Sequence, residues 1–187
     1  MLRIRLFLLL ALLNALPPVV AARLPLEGVD EWSGQFDNHF RKYAKRYFGP
    51  NFDWRWFKSQ GIAESGLDPD ANSPAGALGV MQIMPATYAE IRAQNPHFPE
   101  TDEPRWNIAA GIYYDRVLYD KWHTPPTEDE RLLFAFGSYN AGYRRIHKAF
   151  QRVTGSKRTW KTVAHYVPPP TKHYVNKIQE LMAAAEQ

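Results

Sequence analysis

The carboxyl group of Glu64 is the side chain whose surroundings in the sequence best suit acid catalysis. With Trp54, Phe57 and Gly61 it recurs at spacings of three and four residues, which places it on the apolar stripe of a predicted helix ending at Ser65–Gly66. Burial and the negative end of the helix dipole both disfavour the charged form and raise its pKa. Such a carboxyl group can act as a general acid near neutral pH. The alternative is a glutamate that turns aside into a cap or a salt bridge.

Two glycine-containing stretches add hydrogen-bonding groups of the kind that line carbohydrate sites. Gln82 lies in an apolar run after Gly76 and Gly79, where an amide needs a partner such as a sugar hydroxyl or acetamido group. Tyr139 and Asn140 lie at the end of another predicted helix. Tyrosine and amide groups are typical of a carbohydrate groove, but the same pair is equally consistent with a plain helix C-cap.

Helical periodicity dominates the segments that would position these groups. A first helix is predicted from an aromatic face at spacings of three and four residues: Trp32, Phe36, Phe40, Tyr43 and Tyr47. No run with the period of a strand has a useful length, and no repeat is present. We therefore predict a mainly α fold of about seven or eight helices in one domain.

Capping residues set the expected ends of several helices. Asp53 is the predicted N-cap of the helix that carries Glu64, and Pro85 opens a short helix to about residue 93. Thr127 with Glu130 forms the pattern of a capping box, and Thr171 can cap the last helix. Further helices are expected over about residues 104–122 and around residues 146–153.

Composition limits the function classes. The 187 residues carry a formal net charge of +4 and are 45% hydrophobic, which suits a core large enough for one domain. Charges of both signs are interspersed, so a nucleic-acid-binding tail is not indicated, while the basic excess suits either an anionic cell-wall polymer or a plain solvated surface. The absence of cysteine excludes disulfides and thiol catalysis. The histidines are scattered without metal-ligand spacing and no phosphate-binding loop occurs, so we predict no metal and no cofactor.

The N-terminus predicts export across a membrane. Arg3 and Arg5 precede the apolar run Leu6–Leu13, and Val20–Ala22 forms a small-residue cleavage site, so residues 1–22 are predicted to be a signal peptide. Residues 23–51 would form an N-terminal helical extension and residues 52–187 the main domain. An uncleaved anchor is the alternative, although the apolar run is short and Pro17–Pro18 would break it.

Five sequence blocks together resemble the motif series of the soluble-type lytic transglycosylases, lysozyme-like enzymes that cleave peptidoglycan and are related to goose-type lysozyme. The blocks keep the family order over residues 52–181, and the second block and the YNAG sequence are highly specific. The resemblance implies a lysozyme-like fold, in which a short hairpin can lie within residues 66–82. The blocks are Glu64–Gly66, Ser73–Thr87, Asn107–Ile108 with Gly111, Ser138–Gly142, and Thr171 with Tyr174–Val175.

The resemblance implies a mechanism with one essential carboxyl group. Glu64 would protonate the glycosidic oxygen between N-acetylmuramic acid and N-acetylglucosamine, and the substrate's acetamido group would stabilise the cationic centre. Glu64 would then take the proton of the C6 hydroxyl as that oxygen attacks the anomeric carbon. The product would carry a 1,6-anhydromuramoyl end, and no water would be consumed. One glutamate would thus suffice where most glycosidases use two carboxyl groups.

The same resemblance implies six substrate-binding residues. Ser73 would lie near the acid and the acetamido group, and Met81 and Gln82 would line the floor of the groove. The other three would act from the later helices: Tyr139 would hydrogen-bond near Glu64, Asn140 would contact sugar, and Tyr174 would close the groove.

Three further aromatic residues, Trp106, Tyr113 and Tyr143, are candidates for sugar stacking, with core packing as the favoured alternative. The sequence departs from the family pattern at Pro170–Thr171, where Glu-Thr is common, and at Lys58–Gln60, where aliphatic residues are common. The second departure predicts that this side of the helix is less buried.

Two other functions stay open. Hydrolysis of the same bond would need a way to position water, for which Asp68 and Asp70 are the candidates nearby in sequence, and both are more simply turn formers. A non-catalytic peptidoglycan-binding scaffold could dispense with Glu64.

We expect a monomer in the periplasm or at the cell wall whose partner is the peptidoglycan glycan strand and not nucleic acid. Endo or exo action, and service to a secretion or flagellar apparatus of the cell envelope, stay open.

Overall fold

The computed structural model describes residues 34–100, 103–125, 127–155 and 158–185. Within these residues the chain forms eight α-helices and no β-strand, which confirms the predicted mainly α fold. The predicted signal peptide and Trp32 lie outside the described residues. The helices are α1 (Asp37–Phe48), α2 (Arg55–Ser65), α3 (Pro85–Gln94), α4 (Pro104–Lys121), α5 (Glu128–Ala141), α6 (Tyr143–Gln151), α7 (Trp160–Val163) and α8 (Pro169–Ala185), with short 3₁₀ turns at Gly34–Phe36 and Ala164–Tyr166.

Helices α2, α4 and α5 each carry a continuous run of buried residues. Helix α4 packs between α1 and α5, while α2 packs against α1 and α8. The predicted aromatic face of α1 is buried at Phe40 and Tyr43, and it joins the same core as Phe57 of α2. Residues of the predicted N-terminal extension therefore stabilise the helix that carries Glu64, because both share one apolar core.

The start of α2 differs from the prediction. The helix begins at Arg55, with Trp54 rather than Asp53 at the N-cap position. The Asp53 carboxylate lies one position further out, where its Oδ1 accepts a hydrogen bond from the Arg55 backbone N–H at 2.9 Å. It also pairs with the Arg55 guanidinium at 2.6 Å. Asp53 lies outside the helix, but it thus accepts a hydrogen bond from a first-turn backbone N–H that has no partner within the helix.

The side of α2 formed by Lys58–Gln60 is buried, so the prediction that it would be less buried was wrong. Lys58 is 3% exposed, and Ser59 and Gln60 are 0% exposed. Lys58 Nζ forms an ion pair with Asp37 Oδ1 of α1 at 2.7 Å. Gln60 faces α4, where Asp115 receives its amide hydrogen bond. The Lys58 ammonium and the Gln60 amide N–H can occupy the interior here because α1 and α4 supply polar partners for them.

The segment between α2 and α3 is a compact loop with two isolated bridges, from Leu78 to Asn72 and to Ile83. Leu78 and Ile83 exchange both backbone hydrogen bonds at 3.0 Å. No strand develops within this described segment, so the hairpin that the resemblance allows is reduced to single bridges. Positive φ angles at Gly76, Gly79 and Gln82 turn the chain too sharply for longer pairing.

Two later helix starts refine the predictions. Thr127 caps α5 as expected, its side chain accepting the Glu130 N–H at 3.2 Å. The Glu130 carboxylate does not complete the capping box; it accepts the Trp160 N–H at the start of α7 instead. Helix α8 begins at Pro169, so Thr171 lies buried inside its first turn and is not the cap. Proline is favoured at the first helical positions because its φ is already helical.

Candidate active site

Glu64 lies in the last turn of α2, as the sequence predicted. The helix stops at Gly66, which adopts the left-handed conformation with φ of 68°. The Gly66 N–H donates to the Ile62 carbonyl at 3.0 Å, which closes the last turn. The Ser65 hydroxyl donates to the Val80 carbonyl at 2.9 Å. The end of the helix is therefore fastened to the loop that follows it.

The hydroxyl of Tyr174, on α8, donates a hydrogen bond to Glu64 Oε1 at 2.6 Å. Burial raises the pKa of Glu64 to about 7, and the Tyr174 hydrogen bond opposes that rise only in part. A carboxyl group with this pKa is present in both protonation states at neutral pH. The pair brings together two of the predicted site residues.

Tyr139, on α5, contacts the loop between α2 and α3. Its hydroxyl donates to the Met81 carbonyl at 2.7 Å, and its ring packs edge-on against Tyr114 at 5.4 Å between centroids. Burial, and then the nearby charge of Glu64, raise the pKa of the Tyr139 hydroxyl, so it stays a neutral donor. The structure thus places Tyr139 near Glu64 but commits its hydrogen to the loop.

The predicted site residues of the loop shape its backbone. The Ser73 hydroxyl accepts the Ala77 N–H at 2.9 Å. The Gln82 amide donates to the carbonyls of Ala71 and Gly79 at 3.2 and 3.0 Å. The partner expected for this amide is therefore supplied within the loop, and sugar contacts of Ser73 and Gln82 stay predictions.

Two other predicted residues occupy contrasting positions. The Met81 side chain is fully buried against Gly111 of α4 and Gly61 of α2, and its backbone carbonyl is the atom that Tyr139 binds. Asn140 is exposed at the end of α5. The three candidate stacking residues instead take the core alternative: their rings pack on Tyr43, Tyr47, Phe98 and Trp122, and the residues concerned are Trp106, Tyr113 and Tyr143.

The role of Asn107 could not be recognised from its sequence block. Its Oδ1 accepts the Met81 N–H at 2.7 Å and its Nδ2 donates to the Leu78 carbonyl at 2.9 Å. A Cβ atom at Gly79 would lie 2.9 Å from the Asn107 amide, so glycine is needed for this close approach. One side chain of α4 therefore holds the loop on which the Tyr139 contact depends.

Comparison with known proteins identifies the family of the chain. The sequence profile of the family described as "Transglycosylase SLT domain" matches residues 39–162. The chain belongs to this family. Membrane-bound lytic murein transglycosylase F of Erwinia tasmaniensis is 30% identical over 152 residues, which cover 80% of this chain and 29% of that protein. The Aliivibrio fischeri protein of the same name is 32% identical over 132 residues, covering 69% and 25%. The SLT chain thus spans less than a third of the length of these relatives.

Solved structures show that the SLT domain has a lysozyme-like fold. The 70 kDa soluble lytic transglycosylase of Escherichia coli superimposes with a TM-score of 0.70 at 22% identity, over 86% of this chain and 25% of that one. Lytic transglycosylase Slt of Pseudomonas aeruginosa, solved as an inactive variant with glutamate replaced by glutamine, gives a TM-score of 0.69 at 20% identity, over 81% and 24%.

Among the carboxylates considered for hydrolysis, none that the structure describes is suited to hold a water molecule opposite Glu64. Asp68 is a turn former: its Oδ1 accepts the Asp70 N–H at 2.9 Å. The acidic side chain whose charge is coupled to that of Glu64 is Asp115, which is fully buried in α4. An acid without access to solvent cannot position an attacking water molecule.

A cavity of about 680 Å³ is lined by loop residues such as Leu78 and by Tyr88 and Arg92 of α3. None of the predicted site residues lines it.

Within the described residues, no helix is long and apolar enough to cross a membrane. No cluster of three or more potential metal ligands occurs in that same part of the chain.

Proposed function

We propose that this SLT domain is a peptidoglycan lytic transglycosylase in which Glu64 is both the acid and the base. The observation that carries the proposal is the position of Glu64: a largely buried carboxyl group with a pKa of about 7, oriented by Tyr174, in a domain of the transglycosylase family. Relatives named lytic murein transglycosylases support the choice of substrate.

The reaction begins with protonated Glu64. It donates its proton to the oxygen of the β-1,4 bond between N-acetylmuramic acid and N-acetylglucosamine, and that bond breaks. The acetamido oxygen of the muramic acid stabilises the positive anomeric carbon. The Glu64 carboxylate then accepts the proton of the C6 hydroxyl as the C6 oxygen bonds to the anomeric carbon. Glu64 ends protonated, no water is consumed, and the pKa near 7 suits both proton transfers.

The surrounding residues position the acid and the substrate. Tyr174 holds one carboxylate oxygen, so the other is directed to the substrate. Tyr139 and Asn107 fix the backbone of the loop through Met81. In this proposal Ser73, Gln82 and Asn140 contact the sugars. Met81 would support the floor from below.

Export is the second part of the proposal. Residues 1–22 would direct the chain to the periplasm, where peptidoglycan lies, and cleavage near Arg23 would release it. N-terminal sequencing of the protein recovered from the periplasm would give a first residue near position 23. Recovery of the uncleaved chain with the membrane fraction would contradict this part alone.

Replacement of Glu64 by glutamine tests the assignment of the acid. Glu64→Gln should lower turnover of purified murein at least about a thousandfold, because the amide cannot transfer the proton. Binding to sacculi in a sedimentation assay should persist, since glutamine keeps the size and shape of the glutamate side chain. Unchanged turnover would reject the assignment of Glu64. Negligible turnover by both proteins with equal binding would support a non-catalytic scaffold instead.

A further inference from the structure

A buried polar contact lies one helical turn before Glu64. Gln60 on α2 and Asp115 on α4 are both 0% exposed, and Gln60 Nε2 donates to Asp115 Oδ1 at 3.2 Å. Gln60 and Glu64 are four residues apart, so their side chains lie on the same face of α2. Whatever holds Gln60 therefore also limits the movement of the turn that carries Glu64.

Two oxygen atoms of this contact have no hydrogen-bond partner among the described residues. They are the second carboxyl oxygen, Asp115 Oδ2, and the amide oxygen, Gln60 Oε1. An ionised carboxylate and an amide oxygen are both acceptors, so they cannot satisfy each other. A protonated carboxyl group can donate from its second oxygen to the amide oxygen, completing a two-bond pair. Protonation of Asp115 thus removes both unsatisfied acceptors at once.

The electrostatic surroundings of Asp115 also favour its neutral form. None of the ion pairs in the described part of the chain includes it. The titratable groups coupled to it become negative on ionisation: Glu64 on α2, Tyr114 on α4, Tyr139 on α5 and Tyr174 on α8. Burial is the largest cause and the Glu64 charge a further cause of a pKa of Asp115 raised well above its ordinary value.

The remaining helices packed on α4 supply no compensating charge to this pair. Burial is the largest cause of the raised pKa values of Tyr43 and Tyr47 on α1, and the cations that oppose it are Arg46 of α1 and Arg105 of α4. Neither arginine is among the causes of the Asp115 pKa shift. Burial raises the pKa of Tyr88 on α3, and Arg92 of the same helix opposes that rise. No cation is thus among the causes of the Asp115 pKa shift, and an anion at this place would add a like charge next to Glu64.

We propose that Asp115 is a positioning residue for the acid, kept as a neutral carboxylic acid that pairs with Gln60 and fixes α2 beneath Glu64. The proposal rests on the function of Glu64 given above. In it, Tyr174 holds the carboxyl group itself, while the Gln60–Asp115 pair holds the helix that carries it. Asp115 touches no substrate and exchanges no proton during turnover.

Two substitutions of Asp115 separate a neutral partner from a charged one. Asp115→Leu removes the acceptor of the Gln60 amide, and we expect kcat to fall about tenfold or more with KM within about twofold, since the acid is misplaced while the groove persists. Asp115→Asn offers one acceptor and one donor to Gln60, like the protonated acid. It should recover most of the kcat lost in Asp115→Leu and keep the parental pH profile. Ile112→Val, a small deletion in the core face of α4, shows the effect of lost packing alone.

A spectroscopic measurement decides the protonation state without activity. The ¹³C carboxyl resonance that disappears in Asp115→Asn should keep the shift of a protonated acid from about pH 5 to about pH 8, where an ordinary aspartate is ionised. Titration of that resonance near pH 4, or an Asp115→Asn variant as impaired as Asp115→Leu, would overturn the proposal. If the Asp115 resonance keeps the shift of a protonated acid but the Glu64→Gln variant is fully active, only the proposed function is rejected.

Discussion

The hydroxyl of Tyr174 lies 2.6 Å from Glu64 Oε1, a contact between residues 110 positions apart in the chain. It joins the end of α2 to α8, and it is a hydrogen bond from a neutral donor to the group that must gain and lose a proton. Such a bond favours the anion, so it offsets part of the rise in pKa that burial causes. In the proposed reaction the contact would therefore set both the orientation of the acid and the pH range of activity.

Removal of the Tyr174 hydroxyl should change the pH profile as well as the rate. Tyr174→Phe deletes the donor, so the pKa of Glu64 should rise further. Because the first step needs protonated Glu64, the fall of kcat/KM toward high pH should move to higher pH. Loss of orientation should lower kcat about tenfold. Tyr113→Phe, a hydroxyl deletion at a ring packed in the core, is the matched control. An unchanged profile in Tyr174→Phe would contradict the contact's role.

Glu64 should destabilise the folded protein as pH rises. Its pKa is raised from 4.5 to about 7, so the folded state holds the proton more tightly than the unfolded state does. The resulting stabilisation is complete below pH 4.5 and is lost as pH rises through 7, by at most about 3 kcal/mol. Urea unfolding at several pH values should show this slope in the parent and not in Glu64→Gln. Glu180→Gln, at an exposed site on α8, should keep the slope. Identical slopes in all three proteins would argue against a buried acid.

Gly111 is needed because Met81 crosses α4 at that point. A Cβ atom there would lie 2.8 Å from Met81 Cβ and Cγ, too close for the stiff part of that side chain to avoid. Gly111→Ala should therefore lower the free energy of unfolding by about 1–3 kcal/mol and reduce activity, because the Met81 carbonyl would move away from Tyr139. Gly34→Ala, where a Cβ would meet an atom only at 3.7 Å, should change neither quantity much. Equal melting temperatures for both variants would show that the loop can shift freely.

Asn107 should matter for the loop and not for the chemistry itself. Asn107→Ala leaves the Met81 N–H without its partner and removes one of the two donors to the Leu78 carbonyl, which keeps the Ile83 N–H; the loss should cost about 1–3 kcal/mol of stability. The pH at which activity falls should stay that of the parent, since Glu64 and Tyr174 are untouched. Asn51→Ala, at an exposed asparagine before α2, is the comparison. A shifted pH profile in Asn107→Ala would show that the loop sets the pKa of Glu64 more directly than proposed.

Local patterns in the sequence predicted the helices and the place of Glu64, because periodicity and capping are short-range properties. The position of Gly66 after the apolar stripe was enough to place Glu64 in a last turn. The start of α8 was missed by three residues, since Thr171 was preferred as the cap over prolines whose φ is already helical. Glu130 left its expected cap because a distant backbone N–H, at Trp160, competed for it.

Contacts between distant helices could not be predicted in this way. Gln60 and Asp115 each appear as a polar residue within a helical run, and only the packing of α2 on α4 makes them partners. Lys58 likewise finds Asp37 across a helix interface. The role of Asn107 depends on the path of the loop, which follows from positive φ angles rather than from strand pairing.

Analysis of the products formed from purified murein in ¹⁸O-labelled water tests the central claim most directly. If Glu64 alone serves as acid and base, mass spectrometry will show muropeptides that end in 1,6-anhydromuramic acid, lighter than the reducing form by one water and free of ¹⁸O. Glu64→Gln will yield none of them. Reducing muramic acid ends that carry ¹⁸O, as the sole product of the parent protein, would contradict the account and identify a hydrolase.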